Sequence, residues 1–445
     1  MLLEFKVTNY RSIGEEQIIS LVPATNQREH VENILHQGKH QALNALSLYG
    51  PNGGGKSNLL KAMSLLDKLV NRSARSNSTT KLPYDPFLLK EGSAQKPTQF
   101  EISFIINEER YRYGVDFNET HIVNEWLFRK SVGREVNVFE REYDVIEVSS
   151  GFRGSKSLIS AAIEATRDNA LFLSTCDILN IEEANKIMQW FAGFTMLDGL
   201  TTEDDLNLNT VSLYNSAEYE QKIRDYLTNI GVSLFDIQIT ERDNDEMEYK
   251  QGIRKTLVKY LRSNIKDYQV NAVHKIYNKK GEFSGDTFQW DFYERESAGT
   301  QKAFKMSGPI LWALINGNVL IIDEIEAAMH PMMTLKTIEL FLNKENNPNN
   351  AQLIFATHDT NLLSYSTLRR DQICFAQKNK WESTELYSLS DFVYFEEKDG
   401  EFRSEKERPD TDKEKRYFEG RYGAIPALGE FLQTIKTKKW LEEEK

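Results

Sequence analysis

Along the first twenty residues, LLEFKVTNYRS and then SIGEEQIISLV partly alternate apolar with polar side chains, the pattern of half-buried strands joined by a turn. ALNALSLYG is a short apolar run closed by glycine, and from Ser57 the stretch NLLKAMSLLDKLV carries its apolar residues at helical spacing. The predicted order is strand, glycine loop, helix. NRSARSNSTTK predicts an exposed loop, and FEISFII with YRYGVDF predicts a hairpin around NEER. From about Ser155 to Lys266 the spacing is helical, as in SLISAAIEATRDNALFL, IEEANKIMQWFAG and SAEYEQKIRDYLTNIG, which predicts a mostly helical insertion over 151–266. Strand character returns in HKIYN and TFQWDFY around KKGEFSGD. A helix from Gln301, the buried strand NVLIID, a further helix and the buried strand QLIFATH follow. This alternation argues for an α/β fold with a β-rich N-terminal lobe over 1–150 and a C-terminal lobe over 267–395. The stretch 396–445 is dense in charge and is expected to be only partly ordered, although it holds YFEGRYGAIPALGEFL. There is no internal repeat.

A chain of 445 residues exceeds one typical core, in keeping with two lobes or one domain with a large insertion. Its longest apolar runs, such as Val319 to Ile322, are too short to span a bilayer, so a membrane protein is excluded at this level. The opening MLLEFKVTNYRS resembles neither a secretory nor a transit leader, and Cys176 and Cys374 are too few for a disulfide framework. A cytoplasmic protein is expected. With 55 basic against 67 acidic residues, the net charge of −12 argues against indiscriminate attraction of nucleic acid. The stretch Lys250 to Lys280 is locally basic, with Asp267 as its one acidic residue. It reads equally well as a nucleic-acid contact and as a solvated basic helix paired with the acidic stretch Glu241 to Glu248.

Gly50-Pro51-Asn52-Gly53-Gly54-Gly55-Lys56-Ser57 fits the phosphate-loop pattern G-x-x-x-x-G-K-[ST] between a strand and a helix, with Asn58 next. Its glycines let backbone N–H groups close around phosphate oxygens, Lys56 reaches the β- and γ-phosphates of ATP, and the Ser57 hydroxyl can ligate Mg²⁺. A glycine-rich turn with an exposed lysine is the plainer alternative, and the strand–loop–helix context argues against it. Val319-Leu320-Ile321-Ile322-Asp323-Glu324 is an apolar strand ending in two carboxylates, at the sheet edge where α/β proteins bind ligands. There Asp323 suits Mg²⁺ and Glu324 suits a general base for water, whereas alone the pair would read equally as a solvated helix start. Gln352 to Asp359 repeats the design, ending in His358 as a candidate γ-phosphate sensor, although a lone histidine is more often structural. Glu296-Ser297-Ala298-Gly299-Thr300-Gln301-Lys302 could offer a hydroxyl and N–H groups from a helix start, or be merely a cap. His274 and the two cysteines read as structural.

The ordered set GPNGGGKS, ESAGTQK, VLIIDEIE and FATHD resembles ATP-binding-cassette ATPases of the SMC-like and OLD-like branch. That resemblance implies a P-loop NTPase of ABC type and a head-to-tail dimer, or higher oligomer, sandwiching ATP. Ser297, Gly299 and Gln301 would then act as the signature in trans, Glu324 as the base, His358 as the switch histidine and Arg11 as a nucleotide contact. It also places the family's D-loop at Glu326 to Pro331. The signature reads SAGTQ rather than LSGGQ, and it lies about 240 residues after Lys56, which implies no transmembrane partner. Gln95 and Gln99 are the candidates for the family's Q-loop glutamine. With HKIYNKKGEFSGDTFQWDF, LRRDQICFAQKN and GRYGAIPALG added, the chain resembles the AAA-family ATP-binding proteins of bacterial abortive-infection systems, the AbiLi or RloA-like group. This implies phage defence beside a separately encoded effector, a nuclease being the expected kind. A DNA-processing or repair ATPase of SMC or OLD type, with nuclease activity of its own, is the alternative. It is disfavoured by the 87 residues left after His358 and by the lack of sustained heptads.

Overall fold

In a computed structural model, residues 1–198, 210–241, 268–398, 401–406, 408 and 411–426 are described. Five short apolar segments, Phe194–Asp198, Val319–Asp323, Gln352–Ala356, Ala45–Tyr49 and Ile373–Lys378, lie side by side in that spatial order as parallel strands, and Thr384–Ser388 adds an antiparallel edge. Every residue of Ala45–Tyr49, Val319–Asp323 and Gln352–Ala356 is buried. A parallel sheet covered on both faces produces this pattern, which is why these strands read as continuous apolar runs.

Leu46, Leu48, Ile321, Ile354 and Ala376 face one core, while Ala45, Tyr49, Ile322, Phe355 and Phe375 face the other. The first core lies under the helix Lys56–Arg72 and a seven-stranded antiparallel sheet that runs from Val145–Val148 across to Gln17–Ser20. Gln352 ties the two sheets together. Its buried amide donates to the carbonyls of Leu2 and Leu43, both at 3.0 Å, and its carbonyl accepts from the Leu2 N–H at 2.5 Å. The second core packs the helices Ala217–Asn229, Ala298–Asn316 and Pro331–Leu342. Pro309 removes one helical donor inside Ala298–Asn316, and the carbonyl thereby freed, that of Lys305, accepts from the Thr210 hydroxyl at 2.7 Å.

The described part of 151–266 is mostly helical, with two strands, and it packs into the core. Helices Lys156–Ala165, Phe172–Ile178 and Glu182–Phe191 bury Ala162, Phe172, Cys176, Ile187 and Phe191 in the first core, and Phe194–Asp198 is a strand of the central sheet. Downstream, Asp236–Glu241 pairs with Tyr268–Tyr277, whose other neighbour is Phe283–Asp291. A five-residue edge strand leaves too short a pattern to separate from helix by periodicity. Of the basic stretch, 250–267 lies outside the described residues, and its remainder forms the strand Tyr268–Tyr277 and the following turn. The charged stretch after Glu396 is described in part. Its strand Glu401–Lys406 pairs with Val393–Lys398, and the helix Lys413–Phe418 with Tyr422 and Ala424 enters the second core. There Tyr417 stacks on Phe375 at 5.7 Å between centroids and meets Tyr49 edge-on at 6.2 Å.

Candidate active site

Three strand ends converge at the carboxyl edge of the parallel sheet, where the phosphate loop, the carboxylate pair and the histidine all emerge. Tyr49 ends one strand and Gly50 opens the loop with φ 149°, after which Gly53 and Gly55 take φ 77° and 107°. Positive φ favours glycine. At Gly50 and Gly55 space is equally decisive. An added Cβ would lie 2.1 Å from the Ala376 carbonyl oxygen at Gly50 and 2.0 Å from the Thr384 hydroxyl at Gly55. The hairpin Ile373–Lys378/Thr384–Ser388 is therefore the outer wall of the loop. Thr384 bonds the Ser12 hydroxyl at 2.8 Å, and the Asn58 amide donates to that same hydroxyl at 2.8 Å, which fixes the first turn of the helix.

The Lys56 ammonium is buried and donates to the carbonyls of Gly50 at 2.8 Å and Pro51 at 3.3 Å. Burial lowers its pKa, against the attraction of Asp323, Glu326 and Glu324. Asp323 is buried at the end of its strand, and its Oδ1 accepts no hydrogen bond among the described residues. An isolated buried carboxylate oxygen is costly unless a cation uses it, so the donor set fits Mg²⁺ held by Asp323, the Ser57 hydroxyl and phosphate oxygens. Glu324 follows with φ 51°, a left-handed turn that redirects the chain immediately after the strand, and its carbonyl accepts from Lys302 Nζ at 3.3 Å.

His358 is exposed at the end of the neighbouring strand, and its backbone N–H donates to Glu326 Oε1 at 2.6 Å. Partial enclosure and the nearby Lys56 ammonium lower its pKa, opposed by Glu326, Glu324 and Asp323. The same set of charges identifies Glu326 as a member of the site that sequence reading placed only within a loop. Asp359 also faces inward. Its Oδ1 accepts from the Asn361 backbone and side-chain amides at 3.0 and 2.7 Å, while its Oδ2 is buried without a partner among the described residues. Beyond it, Glu414 accepts from the Thr360 hydroxyl at 3.0 Å and from the Ser364 hydroxyl.

Ser297 caps the helix Ala298–Asn316, accepting from the Thr300 N–H at 3.1 Å, and it is exposed. Gly299 packs closely on the turn after the carboxylate strand, since a methyl added there would lie 2.9 Å from the Ala328 carbonyl oxygen. Gln301 is turned onto its own chain, donating to the carbonyls of Tyr293 and Glu296, both at 2.9 Å. Glu296 in turn accepts from His274 Nε2 at 2.8 Å and Trp290 Nε1 at 2.7 Å, which gives His274 its structural partner. Arg11 pairs with the Asp85 carboxylate at 2.9 Å on the surface. Gln95 is exposed in a short helical turn, and Gln99 lies opposite Asp116 in the antiparallel sheet.

Residues 46–364, more than two-thirds of the chain, match the family model described as "AAA domain, putative AbiEii toxin, Type IV TA system". The chain belongs to this family. It is thus an AAA-type P-loop ATPase, and the binding of ATP is what its domain is built for. The match opens in the strand before the phosphate loop and closes beyond the histidine strand, so it takes in the helical middle that folds into the ATPase core. Among curated proteins none matches this AAA-family chain. No helix among the described residues of the ATPase is long and apolar enough to cross a membrane.

Proposed function

We propose that this chain is a Mg²⁺-dependent ATP hydrolase whose protomers close head to tail over ATP and thereby switch a separately encoded effector in anti-phage defence. The observation that carries the enzymatic part is the meeting of a buried lysine, an unpartnered Asp323 oxygen, Glu324 and His358 at one sheet edge. Lys56 and the loop N–H groups hold the β- and γ-phosphates, while Ser57 and Asp323 hold the metal, which supplies charge neutralisation when bound. Glu324 takes a proton from the attacking water as its oxygen bonds to the γ-phosphorus. The bond to the β-bridging oxygen then breaks and ADP leaves. His358, at the end of the adjacent strand, reads the γ-phosphate.

Ser297, exposed at a helix start, and Gly299 beside it take the role of reaching a second protomer's nucleotide. Gln301 holds that helix start in place instead. The defence role and the effector rest on the family and on the motif resemblance. The test is ATP turnover by wild type and Glu324→Gln, with particle size followed by light scattering with and without ATP·Mg²⁺. Turnover in wild type, together with a non-hydrolysing variant that accumulates as a larger species on ATP, is the expected result. Absence of turnover in wild type with no change of size would refute the reading.

A further inference from the structure

The turn that follows the carboxylate strand bonds directly to the histidine loop, and that bond has a use. Ile325 N donates to the Ala356 carbonyl at 3.2 Å, so the chain stays joined to the neighbouring strand beyond Asp323. The left-handed backbone of Glu324 and a second one at Ala328 then fold residues 324–329 into a tight loop, closed by Ala327 N to Glu324 O at 3.0 Å and Met329 N to Glu326 O at 2.9 Å. From this loop the Glu326 side chain crosses to the adjacent strand end and accepts the His358 N–H at 2.6 Å. Its other oxygen is buried and accepts nothing among the described residues, so the carboxylate is spent on that one backbone donor. The loop also touches the start of the Ala298–Asn316 helix, through Ala328 against Gly299 and through the Glu324 carbonyl, which accepts from Lys302.

We propose that Glu326 is a positioning residue, which fixes the main chain at His358 and passes displacement of the signature-helix start to that histidine. The contact that this role uses is the bond from its carboxylate to the histidine loop. The proposal rests on the reading of His358 as the group that senses the γ-phosphate. The acceptor and donor of this bond belong to the chain segments that follow two different strands, so the bond ties the two loops together. Moving either loop alone would break it.

The experiment measures kcat, KM and the Kd for a fluorescent ATP analogue in Glu326→Gln, Glu326→Asp, Glu326→Ala, His358→Ala and the Glu326→Ala/His358→Ala double variant. Glutamine keeps the reach and an accepting oxygen but loses the charge, whereas aspartate keeps the charge but loses the reach. The expected result is a kcat within about threefold of wild type for Glu326→Gln and about tenfold or more below it for Glu326→Asp and Glu326→Ala, with KM and Kd little changed. The double variant should be no slower than His358→Ala. If the alanine variant does not fold, the contrast between Glu326→Asp and Glu326→Gln still tests the role. Full activity of Glu326→Asp beside a crippled His358→Ala would overturn the positioning role and leave the histidine reading intact. Full activity of His358→Ala would overturn both. A Glu326→Gln variant as slow as Glu326→Ala would show that the charge itself is used, and additive losses in the double variant would show independent action. Either of these outcomes refutes the proposal.

Discussion

Replacing Gly55 by alanine asks one methyl group to occupy space held by another strand. At φ 107° an alanine sits in strained backbone, which costs about 1–3 kcal/mol. Its Cβ would lie 2.0 Å from Thr384 Oγ1, 2.6 Å from Cγ2 and 2.8 Å from Cβ, so Thr384 must move. That movement breaks the 2.8 Å bond to Ser12 and strains the 2.8 Å bond between Ser12 and Asn58, each contributing about 0.5–1.5 kcal/mol. The sum, about 2–6 kcal/mol, falls on the loop that must wrap phosphate, and it corresponds to a loss of ATP affinity of about thirtyfold or more. Titration of a fluorescent ATP analogue measures it, with a thermal melt alongside to show that the fold persists. In Gly55→Ala/Thr384→Ala the hydroxyl and methyl of Thr384 are gone while its Cβ and the backbone strain remain, so the double variant should recover part of the affinity and not all. Wild-type affinity in Gly55→Ala, or no recovery in a folded double variant, would refute the argument that the Thr384 wall sets the shape of the loop.

Two further outcomes are expected. Burial pushes the Asp67 carboxyl up to about 7 from an ordinary 3.8, so the folded state holds a proton that the unfolded chain has already released between those values. Stability therefore falls as pH rises from about 4 to 7. Asp67→Asn should match wild type near pH 4 and exceed it at pH 8 by on the order of 1–3 kcal/mol in denaturant melts, and a difference independent of pH would contradict this. Both thiols are buried, with Cys374 pushed up to about 12 and Cys176 well above its ordinary value. An aromatic disulfide reagent should label neither cysteine in the native protein and both after denaturation, whereas rapid labelling of either one in the native protein would show that its site opens.

The phosphate loop, Asp323, Glu324 and His358 were legible because each closes a short apolar run, and an apolar run ended by glycine or charge marks the edge of a buried parallel strand. Glu326 was not, because its place depends on the left-handed turns at Glu324 and Ala328, which no periodicity encodes. The resemblance implied a nucleotide role for Gln301, and its amide bonds the Tyr293 and Glu296 carbonyls, a use visible only once the short helix Phe292–Arg295 has formed. FTMLD failed as a strand signal because five residues at a sheet edge resemble the helices before it. The aromatic residues Tyr417 and Tyr422 stood out within the charged stretch, but their packing on Phe375, which lies about forty residues upstream, was not readable from spacing.

The strand Ala45–Tyr49 lies between Gln352–Ala356 and Ile373–Lys378, and the wall of the phosphate loop is Ala376 and Thr384. A growing polypeptide therefore exposes its ATP loop more than three hundred residues before the partners of that loop leave the ribosome, a delay on the order of tens of seconds. During that interval the Ala45–Tyr49 strand has no sheet to join, and fragments released early cannot form the nucleotide pocket. The order of the strands thus acts as a timer on synthesis, in which the capacity to bind ATP arrives late, while the apolar faces made first wait without their partners until then.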